Sequence, residues 1–123
     1  MFYKVFIFLI IISLFVSCKT SSSLPDPLEA GWKGNSVCKV LEENKFQRIL
    51  KCTFGPNIGH ERHYHLPHFG YTITGSTFRI KDTTGTREVN VKTGSYFNSK
   101  GTQWHEVLNI GDSTAVFLII EPK

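Results

Sequence analysis

Between Ser36 and Ile120, turn chemistry cuts the chain into short β-prone runs, and this cadence limits the fold more than any other feature. Ser36–Leu41 and Phe46–Phe54 come first, separated by Glu42-Glu43-Asn44-Lys45. Gly55-Pro56-Asn57 then breaks the chain, and the histidine-rich stretch HERHYHLPHFGYTITG follows. Tyr71–Ile73 and Thr77–Lys81 flank Gly75 and read as strand, tight turn, strand. Arg87–Val91, Ser95–Phe97, Gln103–Leu108 and Thr114–Ile120 complete the series, divided by Gly- and Asp-containing breaks. Runs rich in Val, Ile, Thr and Phe that end in Gly, Asp and Asn are strands. No segment beyond the N-terminal stretch carries a helical period, so about eight short strands imply an all-β sandwich or closed barrel. Thr114–Ile120 is apolar at successive positions, which predicts a strand covered on both faces. The 123 residues allow one domain.

Ser36–Leu41 and Phe46–Phe54 read as a hairpin. If Leu41 pairs with Ile49, Cys38 faces Cys52, with β-carbons about 4.5–5.5 Å apart, a little more than a disulfide prefers. A slip of one residue would part them. A bridge and two separate buried thiols therefore both remain open.

The leader is distinct. Lys4 precedes an apolar run, Val5–Val16, that ends at Ser17-Cys18. That run is shorter than the roughly 20 residues a spanning helix needs, and a basic start with a small-residue break describes a secretory signal. Leu14-Phe15-Val16-Ser17-Cys18 resembles a bacterial lipoprotein signal, although the leucine stands one position early. The resemblance implies acylation of Cys18, with residues 1–17 removed, and an uncleaved membrane anchor is the other reading. Residues 18–34 then form a Ser- and Pro-rich tether, and 35–123 the folded domain. The expected location is exported and membrane-anchored, facing the periplasm or on the outer membrane, which Lys19 in place of aspartate favours. The net charge of +4 includes Lys4, and no Lys/Arg run or basic helix is present, which argues against nucleic-acid binding. A core of this size is modestly stable alone, so a homodimer is expected.

Four of the five histidines lie between His60 and His68, and the fifth is His105 in GTQWHEVLNIGD. Imidazole is the commonest side-chain metal ligand. On a strand, residues two apart share a face, so Glu61, His63 and His65 belong together and His60, Arg62 and Tyr64 point the other way. Gln103, His105 and Val107 share a face by the same rule. Pro67 interrupts the count before His68, and a bend there would return His68 to the side of His63 and His65. One cluster open to these faces is His63, His65, His68 and His105, with Glu61 in reserve.

From about Val37 to Ile120 the chain resembles the cupins, in particular small single-domain cupins with a double-stranded β-helix or jelly-roll barrel. Their first motif sets HxH ahead of a strand ending in glycine, as in His63-Tyr64-His65 and Tyr71-Thr72-Ile73-Thr74-Gly75. Their second places asparagine four residues after a histidine, as in His105 and Asn109. Where the family usually has glutamate, this chain has His68, and Lys100 and Thr102 stand where it has proline and glycine. The resemblance implies that His63, His65 and His105 point inward and bind a divalent transition metal, with His68 in the carboxylate's place. Imidazole for carboxylate favours Zn, Ni, Cu or Fe over Mn. His60 and His68 as hydrogen-bonded residues at the barrel mouth is the competing reading.

Two functions follow as expectations. One is a metal-dependent enzyme on a small molecule, of dioxygenase or isomerase type, with Glu61 or Tyr71 able to carry protons. The other is a metal-free module that binds a small polar ligand or sugar. A metal-holding role without chemistry is a third. Tyr71 and Phe78 are candidate pocket residues, although most aromatics in a small barrel are core.

Overall fold

The computed structural model describes residues 23–123; the leader and the lipid attachment expected at Cys18 lie outside the described residues. Eleven strands follow in chain order: β1 (Gly31–Trp32), β2 (Asn35–Ser36), β3 (Cys38–Glu43), β4 (Gln47–Phe54), β5 (Gly59–His65), β6 (His68–Thr74), β7 (Ser76–Asp82), β8 (Gly85–Val91), β9 (Tyr96–Ser99), β10 (Thr102–Asn109) and β11 (Ala115–Pro122). Two antiparallel sheets carry the fold, one ordered β5-β10-β7-β8 and the other β3-β4-β11-β6-β9. The chain crosses between them repeatedly, at β4–β5, β5–β6, β6–β7, β8–β9, β9–β10 and β10–β11. This is the all-β, single-domain double-stranded β-helix that the strand cadence and the resemblance imply.

Gly75 does not close a hairpin, as the sequence suggested. β6 pairs with β11 and β9, whereas β7 pairs with β8 and β10. Gly75 is thus a corner between sheets, where a Cβ would collide with the Val91 carbonyl oxygen. Only glycine admits so close a backbone approach.

The inner faces of β4, β7 and β11 make the core. Phe54, Phe78 and Phe117 meet edge-on, with ring centres 5.6–6.0 Å apart, beside buried Leu50, Ala115 and Ile119. Such edge-to-face contacts are the favoured geometry of aromatic quadrupoles. β11 is central in its sheet, but its outer face is only partly covered at Val116, Leu118 and Ile120. The expectation of a strand buried on both faces is corrected there, because no second layer lies over it among the described residues.

Asn109 is fully buried at the end of β10. Its Nδ2 donates to the carbonyls of Phe54 (2.9 Å) and Ser113 (2.8 Å). Its Oδ1 accepts from Gly111 N–H (3.0 Å) and the Ser76 hydroxyl (2.7 Å). One side chain thereby ties both sheets to the β10–β11 turn, with its polar atoms satisfied.

Cys38 and Cys52 are paired across β3 and β4 and form a disulfide. Their register is the one inferred from the hairpin, but Leu41 does not meet Ile49. A bulge at Leu41 brings Glu42 opposite Ile49 instead. The bridge closes a loop with a sequence separation of 14, for which chain entropy gives about 3 kcal/mol of stabilisation. Urea unfolding with and without reductant should show that loss as a lower midpoint, and equal midpoints would refute it.

Residues 25–33, read as part of the tether, are docked on the barrel. Tyr64 N–H donates to Pro25 O (3.2 Å), and Lys33 N–H to the Glu61 carboxylate (3.0 Å). Arg48 joins Asp26 (2.9 Å) and Glu121 (2.7 Å) in a partly buried chain of charges. This strap covers the free edge of β5, the usual remedy for an unpaired strand edge.

Candidate metal centre

Two bulges decide which side chains face the barrel interior. On β5, His63 lies opposite His105 and His60 opposite Val107, so Glu61 and Arg62 together face the single residue Glu106. On β10, Gln103 and Trp104 together face Tyr64. Each extra residue shifts the period by one. His60 therefore turns inward with His63 and His65, against the expectation from simple alternation. Glu61 turns outward, is exposed, and accepts from the strap, so it is not a reserve ligand. On β10 the inward residues are Thr102, His105 and Val107, not Gln103. Outside, the Arg62 guanidinium lies 3.8 Å from the centre of the Trp104 ring and its Nε donates to Glu106 (2.9 Å), which clasps the two bulges together.

The ring nitrogens of His63, His65 and His105 converge. Nε2–Nε2 separations are 3.0 Å for His63–His65, 3.1 Å for His65–His105 and 2.9 Å for His105–His63. Among the described residues these three alone form a group able to hold a metal. Residues 40 positions apart in sequence become neighbours because β5 and β10 pair.

Hydrogen bonding among three such atoms cannot satisfy all of them. Each Nε2 carries either a proton or a lone pair, so at least two of the three are alike and repel along one edge. The Nδ1 of His63 donates to the Glu61 carbonyl (2.6 Å), which leaves its Nε2 as a bare lone pair. A cation accepting all three lone pairs removes the conflict. The fit is also metric: at metal–nitrogen bonds of about 2.1 Å, edges near 3.0 Å correspond to about 90° between ligands, one face of an octahedron. The residues present therefore fit a divalent transition metal with open positions toward the cavity.

The electrostatics agree. Burial pushes the pKa of His105 down to about 3, helped by the neighbouring His63, and lowers those of His63 and His65 as well. All three are neutral at pH 7, the form that ligates. His60 is likewise pushed down to about 3 by burial and by His63. Its Nε2 donates to the carbonyls of Pro27 (3.0 Å) and Ala30 (3.2 Å), and its ring centre lies 3.8 Å from that of His63. His60 thus supports the back of His63 and anchors the strap. His65 Nδ1 is buried without a partner among the described residues. Its ring is held instead by packing between His63 (4.8 Å) and His68 (4.5 Å).

His68 stands beside the triad and is not one of the converging three, contrary to its expected role as fourth ligand. Its Nδ1 donates to the Leu66 carbonyl (2.7 Å), a local turn made by the break at Pro67. Buried, it lines the cavity next to Phe97.

The cavity behind the triad has a volume of about 690 Å³ and opens to solvent. Phe78 lines it, as expected. Tyr71 does not. With His68, Gly70 and Thr72 inward on β6, Tyr71 falls on the outer face opposite Tyr96, 40% exposed. It cannot shuttle protons at the triad. Alternation missed the wall opposite: Arg87, Val89 and Val91 of β8, Ile80 of β7 and Phe117 of β11. The period-two pattern of Arg87–Val91 was the available signal.

No protein-family model matches the sequence, and no curated protein matches it. Solved structures share its fold. A cupin domain protein from Bordetella pertussis Tohama I is 20% identical over 71% of this chain and 92% of its own, with a TM-score of 0.66. The polyketide cyclase RemF from Streptomyces resistomycificus is 18% identical, covering 75% of this chain and 67% of its own, at 0.60. A protein with a double-stranded β-helix domain from Klebsiella pneumoniae is 17% identical over 73% and 79%, at 0.57. At these identities the likeness establishes the cupin-type fold.

Proposed function

We propose that this chain is an exported, lipid-anchored metalloprotein whose barrel holds one divalent transition metal on His63, His65 and His105 and acts on a small molecule as a metal-dependent enzyme. The mutual 2.9–3.1 Å approach of three Nε2 atoms carries this reading. An all-imidazole donor set favours Zn, Ni, Cu or Fe over Mn. Bound there, the ion would supply Lewis-acid polarisation of an oxygen donor.

The chain's own residues do the rest. His60 and the Glu61 carbonyl fix the orientation of His63, the kind of outer support that metal ligands need. His68 is the remaining imidazole on the cavity wall, with Nδ1 committed to the Leu66 carbonyl and Nε2 the ring nitrogen left for a bound molecule. The apolar part of the wall gives a bound molecule a surface to pack on beside the triad. A neighbour of the same fold, RemF, is described as a polyketide cyclase, which is consistent with chemistry on a small organic molecule in such a cavity. Acylation of Cys18 would hold the barrel at a membrane surface by a short tether ahead of the docked strap.

Elemental analysis of the purified protein tests the metal. One equivalent per chain, lost on dialysis against chelator and restored by adding the metal back, is expected. A protein free of metal, and unable to take any up, would leave the module without a metal as the better reading.

A further inference from the structure

The geometry points to a compact, ring-bearing organic acid as the occupant of this cavity, its body against the apolar wall and its carboxylate at Arg87. The inference rests on reading the triad as the metal-holding end of the same cavity.

Charge and polarity on the wall support it. The apolar part of the cavity wall is made by Ile80, Val89, Val91, Phe117 and Ile119, none of which can pair a hydroxyl, while Asn90, Ser99 and Thr102 also line the cavity. The side chains of Thr72 and Ser95 bond to each other (3.1 Å), and Ser95 also donates to the Lys92 carbonyl (2.6 Å). A sugar lying against that apolar part would leave the hydroxyls facing it without partners, each costing free energy. A flat apolar ring loses nothing there and gains contacts with aromatic edges.

Among the described residues no carboxylate lines the cavity, whereas two cations do, Arg87 and Lys92. Arg87 uses Nη1 on Asp82 (2.7 Å) and has further N–H groups in its planar fork for a second carboxylate. Lys92 makes no ion pair among the described residues. Arg87 lies opposite Ile80 on β7, which lies opposite Val107 on β10, two residues beyond His105. Two strand spacings, about 10 Å, therefore separate the triad's strand from the cationic edge. A two-ring acid has the length to reach from one to the other.

Calorimetric titration of the purified, metal-loaded protein with 2-naphthoate, 2-naphthamide, glucose and glucuronate tests this. Naphthoate should bind about tenfold more tightly than its neutral amide, as expected for a charge-assisted contact, and both sugars should bind far more weakly than either. Arg87→Gln should erase the preference for acid over amide by weakening acid binding far more than amide binding; Arg87 is half exposed, so the fold tolerates the change. Glucose or glucuronate binding as tightly as naphthoate would overturn the inference, as would an acid preference that survives Arg87→Gln or a wild-type protein that binds no naphthoate. The same titration after metal removal separates this from the metal reading. If the protein holds no metal yet still prefers naphthoate, the wall and Arg87 argument stands and the metal reading fails. If it holds metal and prefers the sugars, the reverse is true.

Discussion

His63→Ala and His105→Ala should each lower metal affinity by at least about 100-fold, whereas His68→Ala should lower it by less than about tenfold. The difference follows from the three short Nε2 separations, which include His63 and His105 and leave His68 to one side. Removing either ligand also leaves two imidazoles with no reason to converge. Competition against a chromophoric chelator at pH 7.5 measures the constants directly. His63→Gln controls for collapse, since its side chain keeps much of the buried volume without the ring nitrogens. Equal losses for His63→Ala and His68→Ala would mean that the fourth imidazole is a true ligand and that the bound state differs from the geometry described. The effect should also be thermodynamically visible: free metal at a hundredfold excess over Kd stabilises the wild type by about 2.7 kcal/mol and the His63→Ala variant by far less.

Acid should destabilise the metal-free protein well before its carboxylates titrate. Burial pushes His60 and His105 down to about 3, against about 6.5 in an unfolded chain. Well above pH 6.5 the folded and unfolded states bind equal numbers of protons at these groups, and stability is unaffected. As pH falls below 6.5 the unfolded chain takes up protons that the folded barrel refuses, so stability falls continuously toward pH 3. At pH 5 the deficit is about 2 kcal/mol for each of the two groups, about 4 kcal/mol together. His63 and His65 are shifted in the same direction and add to it. A domain of this size holds roughly 5–15 kcal/mol in total, so the loss is a large share. Urea midpoints in chelator at pH 7.5 and pH 5.0 should differ accordingly, and His60→Gln should reduce the difference. A midpoint that holds steady or rises on acidification would contradict the burial of neutral imidazoles. In the loaded protein, protons also compete with the ion for the same lone pairs, so metal release should accompany the loss.

Much of the barrel was legible because its signals are local. Turn residues bounded the strands, and the Cys38–Cys52 register followed from counting along one hairpin. HxH placed His63 and His65 on one face, and alternation alone justified that. Where counting failed, the cause was a bulge or a docking event that local sequence does not mark. Glu61-Arg62 and Gln103-Trp104 contain neither glycine nor proline, yet both are bulged, which turned His60 inward and Glu61 outward. Leu41 is displaced in the same way. Gly75 looked like a turn because a sheet-to-sheet corner and a hairpin ask for the same residue. Residues 25–33 have a linker's composition, and it is Arg48, His60, Glu61 and Tyr64, distant in sequence, that bind them to the barrel. The cavity wall from β8 was missed because its period-two pattern was read only as a strand. The convergence of His105 on the HxH pair required the pairing of β5 with β10, which the family resemblance supplied and spacing alone did not.

Crystals of the protein grown with zinc, with diffraction recorded on both sides of the zinc absorption edge, put the central claim to its most direct test. The expected result is a single anomalous peak about 2.1 Å from Nε2 of His63, His65 and His105, on the cavity side of the three nitrogens, with His68 outside bonding distance. A peak bound elsewhere, or none at the triad in zinc-saturated crystals, would contradict it.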